Sequence, residues 1–241
     1  MPQTLEFAAF SAWPSQYCED VQGWLLRMDR GYTKQANSAN ATAQSHALSD
    51  HDIEFVEQRF RDAGLLPIFR LTSFADIKDT DLVLASRGYQ SCDASLVMTR
   101  SLDGCNGAEP VCVSDAATWL HAFREASGKG GDDQALHLEI LRRIATPCAW
   151  AVHSEAEPGL NCGLGVLVDD KLGLFDIATR ADHQRRGLAS QLCEALLAWG
   201  ANRGARTAFL QVVAANTAAI RLYQQLGFEI AYRYWYRVAK A

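Results

Sequence analysis

The sequence predicts an α/β (α+β) fold built of two similar halves, and three observations carry that prediction. Short apolar runs of strand length alternate with longer segments whose apolar residues recur at helical spacing. The run Gln184-Arg185-Arg186-Gly187-Leu188-Ala189 stands between an apolar stretch, Leu174 to Thr179, and one of those helical segments. The order helix, strand, helix, strand also occurs twice. It runs through Ile53 to Gly64, Leu65 to Leu71, Ile77 to Arg87 and Gly88-Tyr89 onward, then through Ser190 to Gly204, Arg206 to Val213, Asn216 to Leu226 and Gly227-Phe228 onward. Gly64 and Gly88 stand 24 residues apart, Gly204 and Gly227 23. Coincidence is the alternative, because this order is common in α/β proteins.

In the front half, residues 1–103, Gly23 to Met28 and Tyr32 to Lys34 read as a hairpin across Asp29-Arg30-Gly31. The stretch Ser38 to Ser49 is small and polar, and no phosphate-loop hexad precedes Ile53. This half is therefore expected to wall one side of a substrate cleft or to act as scaffold. Asn37, Ser38 and Asn40 read as exposed loop residues, either touching substrate or simply solvated. Asp103 to Pro110 makes the boundary, and a second domain follows over 110–241. There Val111 to Val113 reads as a strand, and Ser114 to Ala126 and Asp132 to Ile144 as helices either side of Ser127-Gly128-Lys129-Gly130-Gly131. Cys148 to His153, Cys162 to Val168 and Leu174 to Thr179 follow as three antiparallel strands, with Asp169-Asp170-Lys171 as a turn. The last strand, Phe228 to Val238, alternates Tyr232, Tyr234 and Tyr236 with Arg233, Trp235 and Arg237. Its aromatic face either packs, lines an acceptor site or forms an interface such as that of a homodimer.

Composition narrows the function classes. A 241-residue chain that is 49% hydrophobic and 21% charged is ordinary globular protein, sized for one full domain and a reduced partner. Net charge is -5 and no Lys/Arg stripe runs along a helix, so nucleic acid is not an expected partner. No apolar run reaches the ~20 residues of a membrane span, and Met1 to Phe10 lacks the pattern of a secretory signal, which points to the cytoplasm and away from membranes. The seven cysteines include no C-x-x-C pair and no His at ligand spacing, so no metal is expected. They read as reduced thiols; Cys148 and Cys162, on strands near the expected site, are the only ones placed for catalysis, and no base is oriented toward them.

The hexad is an anion cradle in outline. Backbone N–H groups at a helix N-terminus converge on a phosphate, Gly187 lets the main chain come close, Ala189 leaves room, and Arg185 and Arg186 neutralise charge at the rim. Alone it reads equally well as a helix N-cap with exposed arginines. Together with Asn216-x-x-Ala219-x-x-Leu222-Tyr223-x-x-x-Gly227-Phe228, it resembles the acetyl-coenzyme A motif of the GCN5-related N-acetyltransferase (GNAT) superfamily over residues 148 to 238. The resemblance implies the GNAT fold, a mixed and mostly antiparallel twisted sheet flanked by helices, here as two halves in tandem of which the front one is degenerate.

It also implies a chemistry, acetyl transfer from acetyl-CoA to a primary amine. Ile177, Ala178 and Thr179 would pair with pantetheine as an added strand, Gln184 to Ala189 would hold the pyrophosphate, and Asn216 would cap its helix or bond the cofactor arm. Tyr223 falls at the family's general-acid position; the plain alternative is a packed core tyrosine. Asp176, between Phe175 and Ile177, is the candidate base, although other members carry their acid nearer Gly173. His153 and His183 are weaker candidates. The segments 174–178 and 215–223 resemble most the N-terminal alanine acetyltransferases of ribosomal proteins, which lack a front half. The added wall argues for a small amine or amino acid as acceptor. The alternatives are a protein N-terminus, or a non-catalytic acyl-CoA-binding module. A Rossmann site is a poor third, since Gly163-Leu164-Gly165 lacks a third glycine.

Overall fold

The computed structural model describes every residue except Met1, Lys129, Gly130, Asp132 and Ala241, and its elements group into two units. The first comprises Met1–Val97, Val212–Thr217 and Ile230–Ala241, the second Met98–Gln211 and Ala218–Glu229.

In the first unit, α1 (Pro2–Ala12) precedes β1 (Tyr17–Val21), β2 (Trp24–Met28), β3 (Ser38–Ala41), α2 (Asp50–Asp62), β4 (Ile68–Thr72) and α3 (Lys78–Ser86). The front of β5 (Gln90–Ser101) and nearly all of β11 (Glu229–Val238) complete it. The strand order is β1-β2-β3-β4-β11-β5. Strands β1, β2 and β3 pair antiparallel, β3 and β4 parallel, and β4 and β11 antiparallel. The β1–β2 turn falls on Gln22 and Gly23, both left-handed at φ 54° and 77°, and a Cβ on Gly23 would stand 2.4 Å from the Gln44 carbonyl oxygen. Helix α2 opens with a reciprocal cap between Ser49 and Asp52 and lays Ile53, Val56 and Phe60 on a core of Trp24, Leu26, Phe69 and Leu71.

Two sequence expectations fail here for one reason. No hairpin joins 23–28 to 32–34, because the side-chain carbonyl of Asn37 accepts the backbone N–H groups of Asp29 (2.6 Å) and Gly31 (3.0 Å), and its amide donates to the Thr33 carbonyl (2.8 Å). Those bonds hold 29–37 as a loop, and the partners of β2 are β1 and β3 instead. Asn37, Ser38 and Asn40 are accordingly buried, not exposed, and Asn40 donates to the carbonyls of Leu25 (3.0 Å) and Ser38 (2.7 Å). Helix α1, which no sequence pattern announced, docks through charge. Glu6 pairs with Arg70 of β4, both fully buried, while Arg27 donates to the carbonyls of Phe10 (3.1 Å) and Trp13 at and just beyond the helix C-terminus and to that of Gln35 (2.7 Å) in the 29–37 loop.

The second unit holds the end of β5, then β6 (Val111–Cys112), α4 (Ala116–Ser127), α5 (Gln134–Arg143), β7 (Cys148–Val152), β8 (Asn161–Val168), β9 (Lys171–Thr179), α6 (Leu188–Asn202), most of β10 (Thr207–Val213) and most of α7 (Thr217–Gln225). Its strand order is β5-β10-β9-β8-β7-β6, with β6 to β9 successively antiparallel and β9 and β10 parallel. The elements follow the sequence reading within a few residues. The expected start of α5 at Asp132, and Lys129 and Gly130 of the separator before it, lie outside the described residues. Strand β8 is buried along its whole length between α4 and α6, which is why it reads as a continuous apolar run. Leu192 and Leu196 of α6 approach so closely that a Cβ on Gly163 would stand 3.1 Å from Leu192, and one on Gly165 3.1 Å from Leu196.

Candidate active site

Strand β9 changes character halfway along. Its parallel ladder with β10 runs from Lys171–Thr207 to Leu174–Leu210, and the strand then continues to Thr179. Leu172, Gly173 and Leu174 are buried, whereas every residue from Phe175 to Thr179 is half-exposed. A β-bulge accompanies the change. Cys162 pairs with Ala178 and Leu164 with Phe175, so Asp176 and Ile177 together face Gly163. Asp176 takes the left-handed conformation at φ 48°, which aspartate tolerates better than most residues. Trp119 of α4 closes the gap that a bulge leaves in a ladder: its indole N–H lies 3.1 Å from the carbonyl oxygens of both Ala151 and Gly163.

The released half of β9 faces a cavity of about 400 Å³. Asp176, Ile177, Ala178, Thr179 and Gln184 line it, opposite the end of α4 from Phe123 to Gly128. The Asp176 carboxylate is 26% exposed, and its Oδ2 lies 3.1 Å from Nε2 of His137, a residue of α5 only 4% exposed. The two atoms form a close polar contact. His137 sits edge-on to Phe123 at 5.6 Å, and Phe123 stacks on Trp119 at 5.4 Å. Gly173, near which the resemblance would place an acid, is walled by Phe175 and Phe209; a Cβ there would meet them at 2.5 and 2.9 Å.

Beyond Thr179 the chain makes a short 3-10 turn, Ala181–His183, and enters α6 through the cradle. Arg185 (φ 60°) and Gly187 (φ 81°) are both left-handed, and Gly187 caps α6 without any side-chain hydrogen bond, which leaves the positive end of that helix open. Gln184 is turned back onto the Thr179 carbonyl (3.2 Å) and Arg186 onto that of Asp182 (3.1 Å). The exposed Arg185 side chain makes no ion pair or hydrogen bond among the described residues. Leu188 and Ala189 begin the helix, half-exposed. Asn161, buried, fixes the cradle to the strand: its amide donates to the Leu188 carbonyl (2.8 Å), and its carbonyl accepts the Thr179 hydroxyl (3.2 Å). His183 belongs to this scaffold too, since its Nδ1 lies 2.8 Å from Asp182, whose carboxyl is held far below the usual range by Arg180 and His183.

Tyr223 is on α7, 9% exposed, with its ring 6.0 Å from Phe228. Burial, with a smaller contribution from the Cys193 thiol of α6, pushes the phenol well above its ordinary value. It does not line the cavity. Asn216 is exposed at the end of the segment Val212–Thr217, which belongs to the first unit. The cysteines considered for catalysis are protonated: burial pushes Cys148 up to about 12, and burial with Asp176 pushes Cys162 further. Among the described residues no cluster of His, Cys, Asp or Glu is arranged to hold a metal ion, and no helix is long and apolar enough to cross a membrane.

His137, Asn161 and Trp119 were missed by sequence reasoning. His137 had a signal, a polar residue on the apolar stripe that Ile140 and Leu141 mark. Asn161 and Trp119 act through backbone carbonyls far away in sequence, and nothing local marks them.

A family model described as the probable histone acetyltransferase Rv0428c C-terminal matches residues 3–237. The uncharacterized N-acetyltransferase YobR of Bacillus subtilis (strain 168) is 26% identical over 245 residues, covering 98% of each chain. The ribosomal protein bS18 alanine N-acetyltransferase of Escherichia coli (strain K12) is 46% identical over 65 residues, 27% of this chain and 44% of that one. A GCN5-related N-acetyltransferase from Kribbella flavida shares the fold, with a TM-score of 0.70 at 14% identity over 99% of this chain and 95% of that one.

Proposed function

The chain belongs to the Rv0428c C-terminal acetyltransferase family and is an acetyltransferase of the GNAT superfamily; from this membership and the geometry of the second unit, we propose that it moves an acetyl group from acetyl-CoA to the primary amine of a small molecule or amino acid. The observation that carries the reading is the release of β9 from β10 after Leu174, directly ahead of the cavity and the open helix end at Gly187. A strand edge freed in this way can pair with an extended amide chain through Ile177, Ala178 and Thr179. The cradle from Gln184 to Ala189, with Arg185 at its rim, suits a pyrophosphate at the end of that chain. Asn216 is assigned to the cofactor arm on the strength of the motif.

Acetyl-CoA supplies an activated acyl carbon on a leaving thiolate. The amine nitrogen attacks that carbon, the C–N bond forms and the C–S bond breaks. Asp176, whose carboxylate opens onto the cavity, takes the proton that the amine loses. Tyr223, which does not line this cavity, is assigned as the proton donor to the thiolate on the strength of the motif; burial keeps it protonated, and both groups then exchange with solvent.

A cavity of about 400 Å³ is sized for a small acceptor. The relatives favour a second reading, a protein acceptor, since the printed names of two of them specify a histone and a ribosomal protein. Incubation with acetyl-CoA and a panel of amines, amino acids and peptides separates the two. Turnover of small amines is expected; turnover of peptides alone overturns the small-acceptor reading.

The first unit is read as the degenerate half over 1–103, preceding the catalytic domain over 110–241. Both units run antiparallel, antiparallel, parallel before the second helix of their repeat. Four matching helix ends close alike, with the amides of Leu65, Tyr89, Ala205 and Phe228 bonded to the carbonyls of Phe60, Leu84, Gly200 and Tyr223. The cradle is what differs. Ser49 and Asp52 satisfy the start of α2 and put a carboxylate where a phosphate would go, and Leu84 stands where Tyr223 does. One acetyl-CoA per chain is therefore expected by calorimetric titration, and two equal sites would sink the degenerate-half reading.

A further inference from the structure

We propose that His137 is a positioning residue for acetyl transfer, its Nε2 holding Oδ2 of Asp176 so that the other carboxylate oxygen is turned into the cavity. The inference rests on the reading of Asp176 as the base. Oδ2 and Nε2 are both shut off from solvent, 3.1 Å apart, whereas the Asp176 side chain as a whole is 26% exposed. The accessible edge of the carboxylate is thus the one facing away from His137. Hydrogen bonds at catalytic groups often reach full alignment only with substrate in place, so a close polar contact is the geometry expected of such a pair here.

The ring is itself held. Phe123 contacts it edge-on, Trp119 stacks on Phe123, and the Trp119 indole is anchored to the carbonyl of Gly163, the residue that faces the bulge. The device that sets Asp176 in its left-handed conformation and the one that orients His137 are therefore one packed assembly.

The groups that face the carboxylate are His137 from α5, the Cys162 thiol from β8, Glu125 at the end of α4 and Arg180 just past β9. Of these His137 alone is placed to donate at hydrogen-bond distance. A donor at Oδ2 fixes the direction of the free carboxylate oxygen, so its removal should act on the chemical step and not on binding. His137→Phe is expected to lower kcat about tenfold with the KM for acetyl-CoA unchanged. His137→Gln retains an N–H donor and is expected to restore kcat.

An unchanged kcat in His137→Phe overturns the positioning role while leaving Asp176 as base. Asp176→Asn tests the base separately: acetyl-CoA affinity should stay constant while kcat/KM falls about a hundredfold. Full activity of Asp176→Asn removes the base and this inference with it. Should His137→Phe fail to fold, the ring tautomer in the unmutated protein decides by 15N NMR. A proton on Nε2, with a resonance that moves in Asp176→Asn, is expected, and a proton confined to Nδ1 overturns the proposal.

Discussion

Replacing Tyr223 by phenylalanine is expected to lower kcat by about a hundredfold or more and to leave acetyl-CoA binding within about twofold, the pattern of a lost proton donor. The substitution removes one oxygen and keeps the ring, so the contact with Phe228 and the packing against α6 survive. Stability should change little. The acid assignment rests on the motif; burial holds the phenol in its protonated form across the whole working range. A group that never ionises on its own contributes no limb to the pH profile near neutrality, so deletion of the hydroxyl should lower the profile without reshaping it. Steady-state rates from pH 6 to 9, with calorimetric titration of acetyl-CoA, check both parts. An unchanged kcat would leave Tyr223 a packing residue, which its low exposure also permits.

The second unit was legible because its signals are local. The strands from Cys148 to Thr179 announce themselves by apolar runs of strand length, and Gly187 announces the cradle by being the residue that adopts φ 81° without strain. Asp176 could be named but its setting could not. Between Phe175 and Ile177 it reads as one more position in an even strand, and the bulge that rotates it arises from pairing with β8, where Gly163 lies thirteen residues earlier. His137 lies still further from Asp176 in sequence, and only the fold brings the two to 3.1 Å. In the first unit the failure had the opposite cause. Asn37 and Asn40 have the composition of a solvated loop, and their hydrogen-bonding capacity is spent internally on Asp29, Gly31, Leu25 and Ser38, which buries them.

Glu6→Gln is expected to destabilise the protein by about 3–5 kcal/mol, because it removes the charge that accompanies a guanidinium with no access to water. Arg70 and Glu6 are each 1% exposed, the second contact between them is 2.9 Å, and the Tyr232 hydroxyl donates to the same carboxylate. Burial acts to lower the Arg70 pKa, and the neighbouring carboxylate more than offsets it, so the guanidinium stays charged. Its stacking over the Tyr234 ring at 3.8 Å lessens the exposure of that charge but cannot neutralise it. In a chain of this length a loss of this size lowers Tm by roughly 10 °C. Scanning calorimetry measures it, and a drop below about 1 kcal/mol would mean that water reaches the pair. The companion variant separates the worth of the pair from the cost of breaking it. Glu6→Leu with Arg70→Met and Tyr232→Phe leaves no buried charge and no orphaned hydroxyl, and should return stability to near that of the parent protein. Recovery of that kind would show that α1 is held chiefly by apolar packing of Leu5, Ala8, Ala9 and Ala12, with the ion pair fixing where the helix docks.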